Sequence, residues 1–180
     1  GVLTTGGGRA VNRQYAFFDR GGNRLGTAGP PGNYFDIALS PSGTQAAVQR
    51  SDIQAGNSDI WIIDITRNLI SRFTFEQAVE DDPIWSADGK YLYYSNSKEG
   101  TYNIYRKISS GVGSPEMVLP SGMSQIPRHV SSDGKYLFYS VTHPKTLGDI
   151  WVLPTDASSK PFPYLTSPFD ELYPQCSPDG

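Results

Sequence analysis

The sequence predicts an all-β fold, a β-propeller of four-stranded antiparallel blades, and three observations carry that prediction. The first is a turn that recurs as S-P-S-G at Ser40–Gly43, S-A-D-G at Ser86–Gly89, S-S-D-G at Ser131–Gly134 and S-P-D-G at Ser177–Gly180, placing its glycines 45 to 46 residues apart. A period of that size, built from short strands and turns, suits a propeller blade. The second is composition: 19 Gly, 14 Pro and 11 Tyr in 180 residues with 18% charged side chains favour turns and strands over helices. The third is that each turn leads into the same succession of short runs, separated by Gly, Asn, Asp and Ser clusters.

Four strands are expected in each repeat, labelled A to D, with A before the turn. The A runs are D-P-I-W-S before Ala87, R-H-V-S-S before Asp133 and Y-P-Q-C-S before Pro178. After the glycines come the B runs T-Q-A-A-V-Q from Thr44, K-Y-L-Y-Y-S from Lys90 and K-Y-L-F-Y-S from Lys135. The C runs D-I-W-I-I-D from Asp59, N-I-Y-R-K-I from Asn103 and D-I-W-V-L-P from Asp149 follow, then the shorter D runs from Ser71, Pro115 and Phe162. The start of the chain fits the same frame, with G-V-L-T-T from Gly1 as a B strand, Q-Y-A-F-F-D from Gln14 as C and N-R-L-G-T-A-G from Asn23 as D.

The chain is therefore expected to form one domain over residues 1–180, with repeats near 33–76, 80–120 and 125–167 and a split blade made of 172–180 and 1–30. The lone terminal A strand, 172–177, should pair with residues 1–5 and close a ring, within one chain or onto a second copy. A meander that is apolar on both faces must be covered on both, which stacking of blades achieves. Leu39, Trp85, Val130 and Cys176, each four places before a marker glycine, are expected in that interblade core, and the tyrosines and phenylalanine of the B strands beside the axis. Four blades are few for a ring, so a homodimer completing eight blades through the open ends is expected.

Bulk properties exclude several function classes. A net charge of −3 and no basic run longer than Arg106–Lys107 argue against a nucleic-acid or membrane-surface binder. No apolar run reaches the roughly 20 residues of a membrane helix, so no membrane insertion is expected. One cysteine, Cys176, allows no internal disulfide, and its register among Leu, Trp and Val reads as a small buried hydrophobe. The first residue is Gly1 rather than Met, which suggests a processed chain or part of a longer one.

No catalytic constellation is expected. His129 and Cys176 fall on opposite faces of their A strands, His143 sits in a B–C loop beside Pro144, and no G-x-S-x-G elbow occurs. Gly6, Gly7 and Gly8 resemble a phosphate loop only faintly and read as an exposed B–C loop. Two His and one Cys give no zinc spacing, and no metal or cofactor is expected. Asp59, Asn103 and Asp149 open the C strands at matching places and read as turn caps. The run Glu80, Asp81 and Asp82 and the pair Asp170 and Glu171 are placed in D–A connections, where they should gather at one mouth of the channel. Those carboxylates could hold calcium or meet a basic partner. Arg128 and His129 are grouped with them as candidate binding residues.

The phrases F-F-D-R-G-G-N-R-L-G-T-A-G-P-P-G-N-Y, S-D-I-W-I-I-D-I, D-D-P-I-W-S-A-D-G-K-Y-L-Y-Y-S-N and K-P-F-P-Y-L-T-S-P-F-D-E-L-Y-P-Q-C-S-P-D-G together resemble TolB-like, WD-type propeller repeats, as found after the kinase domain of some bacterial serine/threonine protein kinases. The resemblance implies a sensing or protein-interaction module on the periplasmic or otherwise extracytoplasmic side, and it implies no kinase activity for this chain. Three readings of function follow: a noncatalytic module binding a protein or peptide at the channel mouth, a metal-dependent lactonase-like or lyase-like propeller, and a structural piece of a longer propeller.

Overall fold

A computed structural model of the chain describes residues 2–3, 12–52, 55–156 and 159–177. They fold as strands and turns without a helix, in four antiparallel sheets. Sheet I holds β1 (Val2–Leu3), β2 (Arg13–Phe18) and β3 (Arg24–Gly32). Sheet II holds β4 (Tyr34–Leu39), β5 (Gln45–Asp52), β6 (Asn57–Asp64) and β7 (Leu69–Arg72). Sheet III holds β8 (Glu80–Trp85), β9 (Tyr91–Asn96), β10 (Asn103–Ile108) and β11 (Glu116–Leu119). Sheet IV holds β12 (Gln125–Val130), β13 (Tyr136–His143), β14 (Leu147–Pro154) and β15 (Phe162–Leu165). Within each sheet the strands pair in chain order, as a meander does.

The repeated turn is built by its own side chains. Gly89 donates its N–H to the Ser86 carbonyl at 2.9 Å and adopts φ 70°, and Gly43 and Gly134 do the same with Ser40 and Ser131. Only glycine takes that left-handed position at little cost. In sheets III and IV an aspartate completes the turn: Asp88 accepts from Ser86 Oγ and the Lys90 N–H, and Asp133 from Ser131 Oγ and the Lys135 N–H. These bonds hold both exposed carboxyls near pKa 2. In sheet II, Ser42 stands in the aspartate's place and bonds to Ser40 and Thr44.

Three apolar clusters join the four sheets face to face. Tyr15 and Ala28 of sheet I pack with Tyr34, Ala46, Val48 and Ile63 of sheet II. Ala47, Ile60 and Ile62 of sheet II meet Trp85, Leu92, Tyr94 and Tyr105 of sheet III. Tyr93 and Ile104 of sheet III meet Leu137, Tyr139, Val141 and Leu153 of sheet IV. Among the described residues no such cluster joins sheet IV to sheet I. Gly29 fixes the first junction: at φ 69° its N–H bonds Asn68 Oδ1 at 2.8 Å, and a Cβ there would stand 2.9 Å from Ile63 Cδ1. Gly29→Ala is expected to lose about 2 kcal/mol through strain and displacement of Ile63, read as a lower midpoint in urea.

Two expectations need correction. The strands nearest the axis are the A strands, not the B strands: β8 lies against both β4 and β12. The B strands are second in each meander, and their rings fill the interfaces between blades: Tyr93, Tyr94 and Tyr139 are buried, Tyr91 and Phe138 half-buried, and Tyr136 is exposed at the margin. The positions four before the marker are also not one uniform core. Trp85 is buried and donates Nε1–H to the Ala38 carbonyl at 3.0 Å, whereas Leu39 is 45% exposed on the axial side. Cys176 and Val130 are half-buried.

The expected pairing of 172–177 with 1–5 is not formed among the described residues. β1 pairs with β2, and 172–177 lie in no strand. Residues 1, 4 and 5, the glycines 6–8 and the last residues 178–180 lie outside the described residues. Asp170 and Glu171 explain where the terminal segment goes instead. Asp170 Oδ1 accepts the Gly148 N–H at 2.8 Å, and the Glu171 N–H donates to the Gly148 carbonyl at 2.8 Å, pinning the segment against the β13–β14 hairpin.

Candidate functional site

A register irregularity interrupts each A strand six to eight residues before its marker glycine: between Tyr34 and Ile37 in β4, Asp81 and Ile84 in β8, and Pro127 and His129 in β12. Such bulges re-aim side chains, and here Asp82 of β8 and Arg128 of the neighbouring β12 meet. Asp82 sits at φ 52°, and Tyr173, like Asp82 seven residues before a marker glycine, sits at φ 57°. The terminal segment thus repeats the backbone turn of β8 without strand pairing.

The kinks assemble an electrostatic cluster. Arg128 Nη1 donates to Asp82 Oδ1 at 2.7 Å, its Nε reaches Ser140 Oγ at 3.3 Å, and its guanidinium lies 4.5 Å from the Tyr173 ring centroid. Both partners are largely shielded, with side chains 11% and 22% exposed. Burial pushes the Asp82 carboxyl up to about 6, opposed by Arg128 and reinforced by Asp36 and Asp81. Asp36 is raised by burial and by Asp81, and lowered by Arg128. Asp81 accepts from Ser58 Oγ at 2.7 Å, from Gln49 Nε2 and from Tyr102, and burial still raises it. Arg128 thus offsets Asp82 and Asp36, while Asp81 adds a third negative charge beside both.

Beyond this acidic end the same A strands form a depression of about 370 Å³ whose lining includes Leu39, Ile84, Trp85, His129 and Val130. His129 is half-buried there, and desolvation lowers its pKa. The groove has a charged end and an apolar end on one rigid wall.

The residues expected to converge do so only in part. Asp81, Asp82, Arg128 and His129 lie on the axial wall. The whole run Glu80, Asp81 and Asp82 lies in β8 rather than in a loop, and Glu80 turns away from the axial wall: it is 0% exposed and accepts from Asn96 Nδ2 at 3.1 Å and from Thr74. Asp170 and Glu171 sit at the β13–β14 hairpin, with the Glu171 carboxylate accepting from Ser167 Oγ. They do not join the first run at a channel mouth, because Gly148, lacking a Cβ, leaves them room on sheet IV. Among the described residues, no three of His, Cys, Asp and Glu stand together in a way that could hold a metal ion. Of the three C-strand residues expected as caps, Asn103 accepts the Ser121 N–H at 2.9 Å, while Asp59 pairs with Arg72 at 2.7 Å and Asp149 accepts from Thr146 Oγ1. Sequence reasoning missed Asp36 and Tyr173, although both stand seven residues before a marker glycine, as Asp82 does.

Stacked antiparallel meanders whose A strands β4, β8 and β12 lie side by side along a common axis define a β-propeller. The chain belongs to the TolB beta propeller domain family, whose model matches residues 20–180. It is similar to TolB from Acinetobacter baumannii, at 17% identity and TM-score 0.68, over 87% of this chain and 41% of that one. It is also similar to the β-propeller domain of the Trilobed protease from Pyrococcus furiosus, described as having an open velcro topology, at 15% identity and TM-score 0.56, over 91% and 52% of the two chains. A chain of a nidogen–laminin complex aligns at 7% identity and TM-score 0.68, over 92% and 61%. The chain thus spans about two fifths to three fifths of these structures, and at such identities the likeness is one of fold.

Proposed function

We propose that this chain is a noncatalytic binding module whose axial groove takes an extended segment of a protein partner, basic at one end and apolar at the other. The observation that carries the reading is the grouping of Asp36, Asp81 and Asp82, with Arg128 offsetting only Asp36 and Asp82, which leaves the charged end net negative, next to an apolar depression on the same three strands. Lysine or arginine of a partner adds the missing positive charge, and an apolar side chain covers Leu39. Rigid meanders carrying such a groove recognise a partner without changing shape.

Panning a random decapeptide library on the purified chain tests this. Enrichment of peptides pairing Lys or Arg with an apolar residue is expected, and Asp36→Asn or Leu39→Ser should weaken a selected peptide about tenfold, or about 1.4 kcal/mol. Binding should also fall as ionic strength rises. Absence of enrichment, or hydrolysis of lactone or ester probes by the pure chain, would overturn the reading.

The proposal extends to an extracytoplasmic location and a sensing role beside a kinase domain, both suggested by the resemblance to kinase-associated repeats. A homodimer completing eight blades belongs to it as well, supported by Tyr164, Phe169 and Phe162 exposed on the sheet IV side. Light scattering at micromolar concentration should give twice the chain mass; the single mass would contradict the dimer.

A further inference from the structure

A second concavity lies away from the axis, where sheets I and II meet beside the end of β5. It encloses about 690 Å³, and Pro31, Gly32, Asn33, Arg50 and Trp61 are among the residues that line it. That size accommodates a small organic ligand or the end of a peptide. The cleft is built by the blade junction: β5 and β6 pair Val48 with Trp61 and Arg50 with Asp59, so these side chains share the face that meets sheet I.

Arg50 is the informative residue. Its guanidinium stands 4.9 Å from the Trp61 ring centroid and 5.8 Å from that of Tyr34, which holds it between two aromatic rings. The other half-buried arginines each reach a carboxylate: Arg72 pairs with Asp59, Arg106 with Glu116 and Arg128 with Asp82. For Arg50, no carboxylate or carbonyl among the described residues takes its N–H groups. A guanidinium held by aromatic faces at the wall of a cleft presents donors in a geometry that matches a carboxylate.

The surrounding charges narrow the ligand. Arg50 and Arg72 are balanced by Asp52 and Asp59 in the same lining, so the cleft has no excess of positive charge to hold a dianion. A monoanion that uses the Arg50 fork and lays an apolar body along Trp61 and Pro31 is the better match.

We propose that the cleft between sheets I and II is a binding site for a carboxylate attached to an apolar body, such as a peptide C-terminus or an acylated amino acid, with Arg50 as the carboxylate donor. This goes beyond the axial reading and does not rest on it.

Calorimetric titration with N-acetyl-phenylalanine, its amide, a Gly-Gly-Phe tripeptide and inorganic phosphate tests the site. The free acid should bind, the amide at least about tenfold more weakly, and phosphate more weakly than the acid. Arg50→Gln should abolish the preference for acid over amide, while Arg50→Lys keeps part of it, so a folding defect cannot mimic the result. Tighter binding of the tripeptide would identify a peptide terminus as the source, and tighter binding of the acyl amino acid a free metabolite. Asp36→Asn should leave these titrations unchanged, which separates this site from the groove. Equal binding of acid and amide, undiminished acid binding by Arg50→Gln, or no heat with either carboxylate at millimolar concentration would overturn the proposal.

Discussion

Replacing Arg128 with Leu is expected to destabilise the protein by about 3 kcal/mol at pH 8, because it leaves the Asp82 carboxylate shielded from water without its cation. The same change removes the stack with Tyr173 and so loosens the terminal segment from the axis. The loss should depend on pH. The folded-state pKa of Asp82 is raised to about 6 from an ordinary 3.8, so its contribution to stability is fully present below about 3.8 and is lost as pH rises through about 6. Without Arg128, which lowers that pKa, the window moves upward. Urea unfolding of the variant should therefore recover much of the deficit between pH 8 and pH 5, and Asp82→Asn added to Arg128→Leu should recover it at pH 8. Equal destabilisation at both pH values would mean that packing, not charge, is what Arg128 supplies.

Glu80→Gln is expected to act in the opposite sense. Glu80 is fully buried, and among the described residues neither its Oε2 nor the nearby Tyr94 hydroxyl has a hydrogen-bond partner. Burial, with Asp59 and Glu76, raises the carboxyl from 4.5 to about 7 against the lowering bond from Thr74. A raised pKa means stability present below about 4.5 and lost as pH rises through about 7, a cost of up to about 3 kcal/mol above that range. The neutral amide fills the same space without titrating. The variant should match the parent near pH 4.5 and exceed it by about 1 to 3 kcal/mol at pH 8, measured by urea unfolding across that range. A parent whose stability rises between pH 5 and pH 8, with the variant following it, would contradict this assignment.

The blades were legible because their signal is local. Ser86, Asp88 and Gly89 make a turn from bonds within a few residues, and a repeat of such turns sets the meanders wherever it occurs. The innermost strand was not legible, since A and B strands both carry apolar residues and only the packing of β8 between β4 and β12 distinguishes them. The candidate site was half legible for a related reason. Glu80, Asp81 and Asp82 read as one acidic run, but the bulge in β8 sends Glu80 into a blade interface, Asp81 to Ser58 and Gln49, and Asp82 to the axis. Asp36 and Arg50 stand alone in sequence, without neighbours of like chemistry. Asp36 meets Arg128, and Arg50 meets Trp61, through sheet and blade packing that no short motif encodes. The terminal pair Asp170 and Glu171 went elsewhere because Gly148 offered both a donor and an acceptor 22 to 23 residues earlier in the chain.

Hydrogen–deuterium exchange of the full chain, alone and saturated with a peptide selected on it, tests the binding account most directly. Slowed exchange is predicted in β4, β8 and β12 and around Tyr173, with the outer strands β7, β11 and β15 unchanged. Protection confined to those outer strands, with the axial strands exchanging as in the free chain, would contradict the assignment of the axial groove as the binding surface.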